Sequence, residues 1–192
     1  QLQALADYIP ANLVSNTDDD GHWNPLRRQA QIALAAYQSG LCVSADLVTW
    51  GFDSHADHDA EQTEAMQRLQ NGIEYLWSEA ERLGIADRLI VLVQSDFGRT
   101  PEYNDGNGKD HWPITSAVIM ARNVSWANRV VGQTTATHDA QAIDPTNLQV
   151  SQSGVILQPK YIQQAMRRLA GIENLAVSQQ FPLDAEDINF FS

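Results

Sequence analysis

The sequence predicts an α/β domain built on a mostly parallel sheet flanked by helices. Three observations carry this: the β-rich stretch from Leu41 to Trp50, the amphipathic stretch from Ala60 to Leu83, and the aliphatic run Leu89-Ile90-Val91-Leu92-Val93. Strand, helix and strand in that order have the length of a right-handed βαβ crossover. Such a crossover would bring the segments after both strands to one edge of the sheet, where open α/β sheets bind ligands.

Each element has its own local reason. Residues 1–25 read as a poorly ordered or extended lead-in, polar from Ser15 to Asn24. Within it Asp18-Asp19-Asp20 lacks the spacing and closing Glu of a calcium loop, so it reads as a solvated acidic loop. From residue 26 to residue 192 the chain reads as a single α/β domain. Pro25 precedes a helix over Leu26–Ser39, which Gly40 stops. Leu41–Trp50, with Val43, Leu47, Val48 and Thr49, predicts a buried strand, and Cys42 within it reads as core. In the stretch to Leu83, Met66, Leu69, Ile73, Leu76, Trp77 and Ala80 recur at steps of three and four, which marks one helical face. Gly84 ends that helix. Arg88–Gln94 is the clearest buried strand, and a glycine- and asparagine-rich loop follows from Ser95 to Lys109. Thr115–Ala121 predicts a third strand, Arg129–Thr134 a fourth, and Pro159 opens a last helix reaching about Ala170.

Composition limits the function classes. The chain has 192 residues, 43% hydrophobic and 19% charged, which is globular rather than disordered. Its 24 acidic against 12 basic residues give a net charge of −12. That charge argues against binding nucleic acid or anionic membranes. No apolar run is long enough to span a bilayer. A lone cysteine excludes an intramolecular disulfide. The first residues carry no Met, basic region or signal-like core, as in a mature or trimmed product.

Chemistry-bearing residues fall into three clusters. In Gly51-Phe52-Asp53-Ser54-His55-Ala56-Asp57-His58-Asp59, Asp53 and His55 are two apart and would share one side of extended backbone. A carboxylate and imidazoles converging there suit a divalent transition metal, whereas Asp57 and Asp59 read as helix-capping groups. The second cluster is Ser95-Asp96-Phe97-Gly98-Arg99-Thr100-Pro101. Asp96 follows an aliphatic strand, where a buried carboxylate needs a partner or a metal, and Arg99 offers a fork for an oxyanion. An Asp96–Arg99 ion pair within a turn is the plainer alternative. In the third cluster, Gly106-Asn107-Gly108-Lys109-Asp110-His111-Trp112-Pro113, His111 stands beside a carboxylate able to orient an imidazole. His22 and His138 read as surface residues. Together Asp53, His55, Asp96 and His111 would make a set for zinc or manganese, with calcium and magnesium as further options.

Ser95-Asp96-Phe97-Gly98-Arg99-Thr100-Pro101, then Asn104, then Gly108-Lys109-Asp110-His111-Trp112-Pro113, resembles the signature of a bacterial family of unknown function, number 1501. Gly51-Phe52-Asp53-Ser54-His55 resembles its upstream motif, and the resemblance runs from about Leu26 to Ile172. That family is similar in turn to the alkaline phosphatase and sulfatase superfamily, which binds one or two metals at the carboxyl edge of a parallel sheet. The resemblance implies metal ligation by Asp53, His55, Asp96 and His111, with His58 an alternative to His55. Phe97 stands where a two-metal enzyme would carry a further His, and no early strand supplies a nucleophile. The chain thus resembles the carboxyl-terminal half of a member: either the remainder lies outside it, or it is a reduced form. A partner chain or that remainder would then cover the sheet edge.

The resemblance implies a metal-dependent hydrolase of small phosphate or sulfate esters, with Arg99 and Lys109 holding non-bridging oxygens. The alternative is a non-catalytic secreted metal- or anion-binding module, or a subunit of a larger assembly. Relatives are commonly exported, which implies a periplasmic or extracellular location.

Overall fold

A computed structural model describes residues 2–18 and 21–192. Asp19 and Asp20 of the acidic loop lie outside the described residues. Its helices are α1 (Leu2–Tyr8), α2 (Leu26–Gln38), α3 (His58–Arg82), α4 (Pro159–Leu169) and α5 (Ala176–Gln179). Its strands are β1 (Ile90–Val93), β2 (Gly98–Arg99), β3 (His111–Trp112) and β4 (Val118–Ala121).

Among the described residues there is no mostly parallel sheet. β1 pairs with β4 and β2 with β3, as two short antiparallel ladders, and every isolated bridge among the described residues is antiparallel too. The stretch Leu41–Trp50 shows why. It forms no strand, and Val43, Val48 and Trp50 are exposed. The Gln29 side chain takes the place of a strand neighbour at Val48, accepting from its N–H at 2.8 Å and donating to its carbonyl at 2.7 Å. With those backbone groups satisfied from α2, the segment lies along a helix instead of entering a ladder. Cys42 is accordingly half-buried outside any strand. Arg129–Thr134 makes a single bridge, Thr134 to Ala140, and is not a strand.

The chain divides into two compact units. Unit 1 comprises Gln1–Val93, Glu102–His111 and Ile119–Arg122, and unit 2 comprises Gln94–Pro101, Trp112–Val118 and Asn123–Ser192. In unit 1 the helix pair α2 and α3 forms the core, where Ala30, Leu34, Leu76, Ala80, Ile85 and Ala86 pack together. The buried face of α3 is Ala65, Gly72, Leu76, Glu79 and Ala80, narrower than the predicted stripe, and Met66 is exposed. A Cβ on Gly72 would lie 2.4 Å from Leu26 Cδ2, so glycine is what lets the helices approach. Glu79 is buried in a fork from Arg82, with Nε and Nη2 at 2.8 and 2.6 Å from its two oxygens.

In unit 2 Ile143 is fully buried and bridges both Val150 and Val155. Tyr161 and Ala165 turn the buried face of α4 inward. Here too a glycine sets the spacing, since a Cβ on Gly154 would meet the Ile143 carbonyl oxygen at 2.1 Å. Among the described residues no helix is long and apolar enough to cross a membrane.

Candidate metal centre

The site belongs to unit 1 and is built from two loops. Residues 51–57 lead into α3, and residues 104–110 lead into β3. The loops are zipped together by backbone: Ala56 bridges Asn107, and Asp57 N–H and His58 N–H donate to the carbonyls of Gly106 and Asn107. Lys109 N–H donates to the Ser54 carbonyl at 3.0 Å. This zipper, not a shared sheet edge, brings the first and third sequence clusters together.

Asp53 and His55 share a side for a different reason than extended backbone. His55 N–H donates to the Asp53 carbonyl at 3.1 Å, so a tight turn folds the two side chains toward each other. His55 Nε2 lies 3.2 Å from Asp53 Oδ1 and 3.1 Å from His111 Nε2, and His111 Nε2 lies 3.6 Å from Asp53 Oδ1. The two imidazole centroids are 4.9 Å apart. Donors held by one tetrahedral ion at bond lengths of 2.0–2.2 Å stand about 3.3 Å apart, so this triangle has the size of a ligand set.

The other face of His55 is fixed. Its Nδ1 is 3.0 Å from Asp110 Oδ1, and the Asn104 amide donates to the same oxygen at 3.1 Å. Those hydrogen bonds, that from His55 first, hold the Asp110 carboxyl below its ordinary range. Their stabilising effect is therefore complete above the ordinary carboxylate range, and is lost as pH falls through the depressed value. The carboxylate next to His111 in sequence thus orients His55. An Asn followed by glycines two and four positions later was the signal for this anchor, because such an Asn accepts from backbone N–H groups ahead of it.

His58 is engaged elsewhere. Ser54 is fully buried, with Oγ 2.7 Å from His58 Nδ1, and Gln62 donates to that Oγ at 2.9 Å. Ser54→Ala takes from the half-buried His58 ring and the Gln62 amide their shared partner, so it is expected to destabilise the fold by about 1 kcal/mol. Urea denaturation of wild type and variant reads that difference. Asp57 stands at the head of α3 but makes no capping bond and sits in left-handed backbone, φ 43°. Asp59 instead accepts from Tyr103 Oη at 2.6 Å. Lys109 Nζ lies 4.7 Å from the centre of the Tyr103 ring.

The second cluster lies in unit 2. Asp96 is exposed, so the burial cost that would demand a partner does not apply to it. The Arg99 guanidinium stands 5.7 Å from the centre of the Phe97 ring. Gly98 has no room for a side chain, because a Cβ would meet the Ile114 carbonyl oxygen at 2.0 Å. His22 and His138 are both exposed, as expected.

Residues 17–151 match the model of a family described as "Protein of unknown function (DUF1501)". No curated protein and no solved structure matches the chain.

Proposed function

The chain belongs to the DUF1501 family, and on that premise we propose that it is a metal-dependent hydrolase of phosphate or sulfate esters. One observation carries the metal: Asp53 Oδ1, His55 Nε2 and His111 Nε2 converge within 3.1–3.6 Å. In the neutral ring, with the His55 proton on the nitrogen that faces Asp110, Nε2 would turn a lone pair toward the Asp53 carboxylate, and a cation would relieve that repulsion. Two imidazoles and one carboxylate suit zinc or manganese better than calcium or magnesium, which prefer oxygen.

A divalent cation bound here supplies Lewis-acid polarisation of an ester oxygen and a water of lowered pKa. The chain's residues do the rest. Asp53 contributes the negative charge of the set, and Asp110 keeps His55 in its ligating tautomer. Lys109 holds a non-bridging oxygen of the ester. Export to the periplasm or cell exterior is part of this reading.

The exposure of the three ligands, 47–76% for their side chains, favours a second reading: a non-catalytic metal- or anion-binding module or assembly subunit. Elemental analysis after zinc or manganese loading, with turnover of aryl phosphate and aryl sulfate, tests both. Near-stoichiometric metal with turnover is the expected result. Metal without turnover supports the module. Protein that takes up no metal sinks the hydrolase reading and leaves only an anion-binding or assembly role.

A further inference from the structure

We infer that Asn104 is a positioning residue for the metal centre, acting through Asp110 to fix His55 with its proton on Nδ1 and its Nε2 free to ligate. The inference rests on the metal-binding reading and adds to it the group that selects the tautomer.

The Asn104 side chain spends its whole hydrogen-bonding capacity. Its Oδ1 accepts from Gly106 N–H at 3.0 Å and from Gly108 N–H at 2.9 Å. Its Nδ2 donates to the His55 carbonyl and to Asp110 Oδ1, both at 3.1 Å. Two backbone donors on one end of an amide fix which end is oxygen. The nitrogen is thereby aimed at two acceptors. One is the main chain of the ligating residue itself, and the other is the carboxylate that holds its ring.

Asp110 Oδ1 then receives from Asn104 Nδ2 and from His55 Nδ1, the latter at 3.0 Å. A carboxylate only accepts, so His55 Nδ1 carries the proton. In the neutral ring the lone pair is then on Nε2, the atom that faces Asp53 and His111. One side chain therefore sets both the position of His55, through its carbonyl, and its tautomer, through Asp110.

Asn104→Asp keeps the size and the two accepted bonds but turns an oxygen toward the His55 carbonyl and a second carboxylate toward Asp110. Asp110→Ala keeps the Asn104 bonds to Gly106, Gly108 and His55 and removes only the tautomer selector. Imidazole nitrogen shifts of the metal-free protein at mildly alkaline pH are expected to show His55 protonated on Nδ1. Both variants should lose that preference. Zinc dissociation constants, from competition with a chromophoric chelator, should rise about 10- to 100-fold in both while far-ultraviolet circular dichroism stays unchanged. A wild-type His55 protonated on Nε2, or variants that bind zinc as tightly as wild type, would overturn the inference. A wild type that binds no zinc, yet shows the Nδ1 proton and loses it in both variants, would confirm that Asn104 and Asp110 set the His55 tautomer and end the metal reading.

Discussion

Gly108→Ala is expected to abolish metal binding while leaving the helix pair folded. A Cβ at this position would lie 1.9 Å from both the carbonyl carbon and oxygen of His55, and 2.4 Å from Ala56 N. All three are backbone atoms, so no rotamer change can make room. The obstacle is space, because Gly108 is buried against the 54–58 segment and needs no left-handed backbone. Relief requires the 104–110 loop to withdraw, which breaks the Lys109 N–H bond to the Ser54 carbonyl and the His58 N–H bond to the Asn107 carbonyl. His111 follows directly on that loop and moves with it. A displacement of about 1 Å can cost a hundredfold where groups must converge, so zinc affinity should fall by about that factor or more. The core of α2 and α3, centred on Ala30, Leu34, Leu76, Ala80 and Ile85, does not touch Gly108. Circular dichroism of the variant should therefore match wild type, and calorimetry with zinc should show no heat of binding. Wild-type affinity would mean that the two loops are not packed as described.

What the sequence could and could not reveal follows from the range of the forces involved. Helices α2 and α3 were legible because apolar spacing, Pro25 and the stop glycines are local signals that packing only reinforces. The strand β1 was legible for the same reason, as a short aliphatic run. The parallel sheet was not, because β-formers such as Val43 and Val48 state a preference whose realisation depends on a neighbour. At Val48 that neighbour is the side chain of Gln29, 19 residues away, and no pattern within Leu41–Trp50 announces it. Asp53, His55 and His111 were legible by residue type, yet the stated cause of their meeting was wrong. A turn at Asp53–His55 and a backbone zipper through Asn107 join them, where a crossover at a sheet edge was expected. The pairing of Asp110 with His55 rather than with His111 is a long-range fact of the same kind.

His55→Ala and His111→Ala are each expected to weaken zinc binding by more than about a hundredfold, the upper end of what losing a supporting group costs. The informative quantity is the double variant. If Asp53, His55 and His111 hold one ion, removing either imidazole leaves a carboxylate and one ring, too few protein ligands to compete with water. Removing the second ring then has little left to lose, and the double variant should bind about as poorly as either single one. If the two histidines served separate ions, the wild type would take up two equivalents, each single variant would keep one, and only the double variant would lose both. Asp53→Asn sharpens the test, because it keeps an oxygen at the same distance and removes only the charge. Its loss should be smaller than that of either alanine variant if ligand number dominates, and as large if the carboxylate's charge is what holds the cation. Chelator competition across the four variants reads all of these outcomes in one experiment. The helix core serves as its internal control, since none of the three side chains belongs to it.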